Sequence, residues 1–333
     1  MYPDEPVVAV ASLFTPALYV KDVTNVNHVL NVNFNSFSHR GFEVNEGDQL
    51  ADNVLFMNDR SALDFVEYLK QRPELLKKDT FQTLNIFCSA AIGASVFDLC
   101  VGLINKGMLK DHDTGLEIQP TEEILAAQAF FFFVAGVEPT ATAMFGILVE
   151  LGRNPEQLRR LHEEIDNSFE KHDKMTYDIV NEMEYLDMVY NEALRMHPPI
   201  GNLLRQCNKD TVLPVGNVRV DAGTKIFLPI YDIHHDPKIY PDPEVFNPER
   251  FSPENSKNIN SNAFMPFGEG KRLCIGIRYA TLQAKSGLVH LLRNFAVKTH
   301  VGQGGIKYYK QNVQVKPTNV DVQLIPRDLR KNA

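Results

Sequence analysis

Tryptophan is absent from this chain of 333 residues, although it holds 21 Phe and 11 Tyr. Only four cysteines occur, Cys88, Cys100, Cys207 and Cys274, and none forms a C-x-x-C pair. So sparse a set excludes a disulfide framework and points to reduced thiols in an intracellular setting. Basic runs are also lacking: 34 Lys and Arg against 42 Asp and Glu leave a formal net charge of -8, which argues against non-specific binding to nucleic acid. No apolar stretch reaches the ~20 clean residues of a membrane span. The longest, Ile124 to Val137, gives way to Glu138 and Pro139 and reads as a buried helix. The start, Met1-Tyr-Pro-Asp-Glu-Pro, places acids where a signal peptide needs a basic region, and the apolar stretch from Val7 to Val20 is broken by Pro16, so neither a leader nor an anchor is expected. Repeats and low-complexity linkers are missing too. What is present, 44% hydrophobic and 23% charged residues, is enough to bury a sizeable core and excludes a disordered chain.

Periodicity divides the chain. Up to about Arg60, short apolar runs alternate with Asn-rich turns, which predicts a β-hairpin followed by a short helix. Helical spacing takes over from Ala62. A long helix is expected from Thr121, capped by its hydroxyl and the acids Glu122 and Glu123, to about Gly152. The next opens at Asn154-Pro155-Glu156, a cap followed by proline at the first helical position. Another covers Tyr185 to Met196 and must stop before Pro198-Pro199. Residues 200–270, rich in Pro, Gly, Asn and Asp, read as irregular chain with small hairpins. A further helix fits Gly276 to Asn294, and the tail alternates like edge strands. The fold class is mainly α with a minor β portion, in a single domain spanning 1–333.

The most specific feature is FGEGKRLCIG, Phe267 to Gly276. Its glycines let the backbone pass close to a flat partner. Cys274 stands just before a helix start, where amide N–H groups and the helix dipole favour a thiolate that could ligate a metal. Arg272, two residues earlier, offers a fork of donors to a carboxylate or holds the thiolate's charge. A buried structural cysteine beside a glycine-rich turn is the plainer alternative.

The spacing F-x-x-G-x-R-x-C-x-G resembles the cysteine-loop signature of the cytochromes P-450. Other segments agree, in family order. Glu192-Ala-Leu-Arg195 is similar to the family's E-x-x-R and is followed by His197-Pro198-Pro199. Phe246 to Phe251 (FNPERF) resembles its P-E-R-F segment, whose Arg250 completes a three-way network with Glu192 and Arg195. IHHDPKIYPDPEVFNPERF resembles the loop leading to that arginine, which favours a structural role for His234 and His235. Arg205 matches the position that reaches a haem propionate. The N-terminal stretch FTPALYVKDVTNVNHVLNVNFNSFSHRG resembles the opening of insect microsomal members.

Departures from the pattern are as informative. Where the family carries A-G-x-[D/E]-T on its central helix, this chain has Ala135-Gly136-Val137-Glu138-Pro139-Thr140. Proline removes an N–H and frees the carbonyl four residues back, that of Ala135, so a kink with room for water is expected. Thr140 is displaced by about 100° around the axis, whereas Thr142 returns one turn after Glu138. Either hydroxyl could substitute, or both could bond back to helix carbonyls. The family helix bearing W-x-x-x-R is not recognisable: LFMNDR runs at Ser61-Ala62 straight into ALDFVEYLK. Near Leu99 to Gly102 the helices that roof the substrate pocket are skipped. A truncated or internally deleted form of a longer protein is the expectation.

The resemblance implies a haem-thiolate monooxygenase acting on a small lipophilic xenobiotic, plant allelochemical or insecticide. Haem b would be the cofactor and Cys274 the proximal iron ligand. Arg272 and Arg205 would pair with propionates, with Phe267, Gly268, Ala135 and Gly136 against the haem, and Glu138 with Thr140 or Thr142 would relay protons. Electrons would come from NADPH through a partner reductase docking near Lys271 and Arg278, with cytochrome b5 as a second donor. The full-length parent would lie on the cytosolic face of the endoplasmic reticulum membrane. Two other readings stand: a haem-thiolate peroxide isomerase or dehydratase, which needs no proton relay and is favoured by Pro139, and a catalytically inactive truncated haem protein.

Overall fold

Proline and glycine at element ends, and apolar residues at helical or alternating spacing between them, set where this chain coils and where it extends. The computed structural model describes residues 5–12, 15–38, 59–76, 79–104, 109–110, 117–118, 121–172, 175–311 and 314–328. In chain order, strands β1 (Val7–Ser12) and β2 (Thr15–Val20) precede helix α1 (Val23–Asn27), which continues as one π-helical turn over His28–Val32 and a 3-10 turn at Phe34–Ser36. Helices α2 (Asp59–Lys70) and α3 (Thr80–Ile104) follow, then the two-residue strands β3 (Leu109–Lys110) and β4 (Glu117–Ile118). Next come α4 (Glu122–Arg153), α5 (Pro155–Lys171), α6 (Tyr177–Glu182) and α7 (Glu184–Met196). The extended region holds β5 (Leu203–Gln206), β6 (Thr211–Leu213), β7 (Val218–Val220), β8 (Lys225–Leu228) and the short α8 (Ile230–His234). Helix α9 (Ile277–Asn294) and strands β9 (Phe295–Val301), β10 (Lys307–Gln311), β11 (Gln314–Thr318) and β12 (Val320–Pro326) complete the order. The architecture is mainly helical with a minor sheet portion.

Contacts divide these elements into two compact units. The first gathers β1, β2, α1, α7 from Asp187 on, β5 to β8, α8, the cysteine loop and β10–β11. Its four-stranded sheet has the order β1-β2-β8-β5, with β2 parallel to β8 (Ala17↔Lys225) and the other pairs antiparallel. Val20, Val26, Leu30, Phe37, Ile226 and Leu228 form its core.

The second unit packs α2 to α6 and α9 with the antiparallel pair β9–β12 (Phe295↔Pro326). Apolar Leu158, Leu161 and Ile165, one or two turns apart, bury one stripe of α5. Gly287 admits the close approach of α9: a Cβ there would meet the Phe87 ring at 2.6 Å and Met144 at 2.9 Å. The expected side-chain cap at Asn154 is not made. Its amide donates instead to the Glu150 carbonyl at 2.8 Å, closing the end of α4. At α7 the N-terminal amides of Tyr185 and Leu186, which no helical carbonyl can accept from, donate to the Glu164 carboxylate at 2.7 and 2.8 Å, a cap supplied from another helix.

The reading of Ile124 to Val137 as a buried helix is corrected by the structure. Leu125 and Val137 are buried and Gly136 lies against Ile92 of α3, but Phe130 is 70% exposed, Phe131 52% and Val134 53%. Helix α3 covers one side of this half of α4, and hydropathy alone does not say how many sides are covered. By length and composition Leu125–Arg153 could cross a membrane; its most apolar window is 61% buried, as in a core helix. The helix continues through Pro139. Ser61-Ala62 and Leu99 to Gly102, where the sequence resemblance leads one to expect skipped helices, fall inside continuous helices α2 and α3.

Asp166 on α5 joins three parts of this unit, accepting from Arg293 of α9 at 2.5 Å and from Arg327 after β12 at 2.7 Å. Burial pushes its carboxyl up, but the two guanidinium groups outweigh this and hold it below the usual Asp range. Asp166→Asn is expected to cost about 2 kcal/mol at neutral pH. Because the folded-state carboxyl is depressed, this stability is present above the unfolded Asp value of about 4 and is lost as pH falls below it. Urea unfolding at neutral and acid pH checks this: the gap between wild type and variant should narrow on acidification.

Candidate haem-thiolate site

Helix α7 ends on the side chains that organise the first unit. Glu192 and Arg195 are three apart on one face and both are 0% exposed. The guanidinium donates to the carboxylate through Nε at 2.8 Å and Nη2 at 2.9 Å. Its other donors reach the carbonyls of His234 and Pro243, each at 2.8 Å. Glu192 also accepts from the Asn247 amide at 3.0 Å, and Arg250 Nε lies 3.4 Å from it. Arg250 in turn donates to the Asp242 carbonyl. The structure thus brings Glu192, Arg195 and Arg250 together, and it adds backbone acceptors that no side-chain motif announces.

Two contacts carry this network to the cysteine loop. His234 is fully buried; its Nδ1 lies 3.2 Å from the Arg195 carbonyl, and its Nε2 accepts from the Met265 amide at 3.2 Å. Burial above all, with the neighbouring positive charge of Arg195, pushes its pKa down to about 3. The imidazole is therefore neutral, with the proton on Nδ1. The Tyr240 hydroxyl donates to the Ala263 carbonyl at 3.1 Å, and its ring lies 5.3 Å from the Arg195 guanidinium.

The loop itself is a set of tight turns. Gly268 donates to the Met265 carbonyl, Leu273 to Gly270 and Cys274 to Phe267, each at 3.0 Å. Gly268 and Gly270 adopt φ of +79° and +73°, a left-handed conformation that costs a residue with a Cβ. Phe267 is half-buried and Gly268 buried, while Cys274 is exposed between Leu273 and Ile275, which are 45% and 52% exposed. Arg272 is exposed and its Nη2 lies 3.4 Å from the Ser38 carbonyl. Arg205 is buried on β5, with Nη1 donating to Leu204.

Helix α4 belongs to the second unit. Along it, Ala135 and Glu138 are exposed, Gly136 is half-buried, and Thr140 and Thr142 are 5% and 4% exposed. Thr142 follows Glu138 by one turn, whereas Thr140 points about 200° away from it.

These residues suit haem. Among the described residues no three His, Cys, Asp or Glu side chains cluster to hold a bare ion, so one exposed thiol can serve as a metal ligand only where the group brings its other ligands itself. A flat macrocycle with apolar faces would cover Leu273 and Ile275, and its carboxylates would meet Arg272. An exposed thiol with apolar neighbours and a nearby guanidinium is the donor set that a haem-thiolate site asks for. The profile of the cytochrome P450 family matches residues 97–324, and the chain belongs to that family. It is 46% identical over 177 residues to a probable cytochrome P450 6a14 of Drosophila melanogaster, covering 53% of this chain and 35% of that one. Cytochrome P450 3A28 of Bos taurus is 38% identical over 233 residues, or 70% and 45% of the two chains. A lithocholate 6-beta-hydroxylase of Mesocricetus auratus is 39% identical over 205 residues, or 61% and 40%. The matched segments thus span between about a third and a half of these relatives.

Proposed function

We propose that this chain carries a haem-thiolate monooxygenase site, placing one oxygen atom of dioxygen into a small lipophilic substrate with electrons from an NADPH-dependent reductase. The observation that carries this is Cys274, exposed on a glycine-tight loop whose entrance is fixed by the fully buried Glu192–Arg195 pair. Haem, when bound, would supply the iron at which dioxygen is activated. Cys274 Sγ would hold that iron as an anionic donor, pushing electron density towards it. Arg272 and Arg205 would neutralise the propionates, and Phe267 and Gly268 would form the flat seat behind the ring. Glu192, Arg195 and Arg250 position the loop through His234 and Tyr240. On α4, Pro139 has no N–H to give the Ala135 carbonyl; a water bonded there could take a proton from the Glu138 carboxyl, with the hydroxyl of Thr140 or Thr142 as the next carrier. Lys271 and Arg278, both exposed, are the charges offered to the reductase, with cytochrome b5 as a second electron donor. The site of action would be the cytosolic face of the endoplasmic reticulum membrane, and xenobiotics the substrate class.

Pro139, where the family carries threonine, favours a second reading: a peroxide isomerase or dehydratase. Such an enzyme receives both oxygens already bonded in the substrate and needs no proton relay. Turnover by the haem-loaded chain decides between them. Product formed from a lipophilic substrate with dioxygen, NADPH and reductase supports the monooxygenase. Product formed from a hydroperoxide alone, and none with NADPH and reductase, overturns it. Glu138→Gln is expected to lower the NADPH-driven rate by about 10²-fold or more and to leave hydroperoxide-driven turnover unchanged.

A further inference from the structure

The cysteine loop is held at its entrance by His234 and Tyr240, but its middle rests on another part of the chain. Three successive residues touch one short segment in three different ways. A Cβ on Gly270 would stand 2.5 Å from the Leu30 carbonyl oxygen and 2.5 Å from Asn31 Oδ1, so the glycine backbone lies directly on the π-helical turn His28–Val32. The Lys271 ammonium sits 5.4 Å from the centre of the Phe34 ring. Arg272 Nη2 lies 3.4 Å from the Ser38 carbonyl, 234 positions away in the chain.

That segment is rigid on its own account. Phe37 is 0% exposed in the core of the first unit. The Ser36 carbonyl accepts from the Asn208 amide at 2.6 Å, and Asn208 Nδ2 donates to Ser38 Oγ at 2.6 Å. Asn33 donates to Thr211 Oγ1 at 2.7 Å, and Asn25 exchanges two hydrogen bonds with the Val215 backbone.

We infer that Leu30–Ser38 is the positioning seat of the cysteine loop, fixing Cys274 through Gly270 and Lys271. The step from seat to thiol is short. Gly270 accepts from the Leu273 amide, and the next residue, Cys274, donates to Phe267, so a displacement of Gly270 moves both turns that present the sulfur. A π-helical turn at this contact accords with the frequent placement of such turns at functional sites. Leu30 and Phe34 are positioning residues, and the inference deepens the haem-thiolate reading and rests on it.

Hydrogen exchange on the intact haem-free chain, read in peptides covering Gly268–Ile275, tests the seat. Phe34→Leu removes the ring under Lys271 and should speed exchange of the loop amides about threefold to fivefold, the equivalent of one lost cation–π contact. Phe34→Tyr keeps the ring and should stay at the wild-type rate. Gly270→Ala, which forces a Cβ against the Leu30 carbonyl from a positive φ, should raise it about tenfold. Exchange in α7 should not change in any variant. Loop exchange in Phe34→Leu at the wild-type rate, or an equal rise in α7, refutes the inference; the Phe34 pair decides even if Gly270→Ala fails to fold. In haem-loaded protein, Phe34→Leu should convert part of the red-shifted band of the reduced, carbon-monoxide-bound state to an unshifted one, and Phe34→Tyr should restore it. If wild type lacks the shifted band, the haem reading fails while the exchange result still answers for the seat.

Discussion

Cys274→Ala is expected to abolish the strongly red-shifted Soret band of the haem-loaded, reduced, carbon-monoxide-bound chain. An anionic sulfur opposite carbon monoxide pushes electron density onto the iron, and no other cysteine with a described side chain can supply one. Cys88 is 0% exposed, and burial pushes its thiol far above the ordinary range. Cys207 is 1% exposed, is likewise pushed up by burial, and its Sγ lies 3.1 Å from the Lys209 carbonyl. Cys88→Ser and Cys207→Ser should therefore keep the shifted band. The measurement is a spectrum of each variant after haem loading and reduction under carbon monoxide. A shifted band surviving in Cys274→Ala, or missing from wild type, would sink the assignment of Cys274.

What could be read from sequence was what local chemistry fixes. The start of α5 follows from Asn154-Pro155 and the stripe of Leu158, Leu161 and Ile165; the tight turns around Cys274 follow from Gly268 and Gly270, which tolerate a positive φ. Relations across the chain left no such trace. The parallel pairing of β2 with β8 joins Ala17 to Lys225, and nothing in either run names its partner. Glu192 and Arg195 stood out by resemblance to the family's E-x-x-R, since by spacing alone a pair three apart is commonplace on a helix surface. Only packing shows it at 0% exposure with four further polar contacts. His234 was read as structural, but its service between the Arg195 carbonyl and the Met265 amide depends on chain that folds back from two directions. Phe34 carried no signal at all, because an aromatic residue after a short helix is ordinary core. The exposed face of α4 misled for the opposite reason: an apolar run records how readily a segment is buried and says nothing of whether enough neighbours exist to bury it.

Arg195→Met is expected to destabilise the first unit by about 3–5 kcal/mol, since it leaves the Glu192 carboxylate buried beside Arg250 alone among cations. The loss goes beyond one ion pair. The carbonyls of His234 and Pro243 lose their donor as well, and a buried acceptor without a partner costs about 1–3 kcal/mol. Because His234 leads to Met265 and Tyr240 to Ala263, slackening should reach the entrance of the cysteine loop and weaken haem retention along with stability. Thermal unfolding followed by circular dichroism and the haem retained after gel filtration measure the two effects. Arg195→Met combined with Glu192→Gln removes both charges and should recover part of the stability, since no bare carboxylate is left in the interior. It should not recover haem retention, because the carbonyls that position the loop stay unpaired. A double variant as unstable as Arg195→Met alone would mean that lost packing, rather than the stranded charge of Glu192, sets the cost. A single variant with unchanged stability and haem content would remove the network from any role in holding the loop.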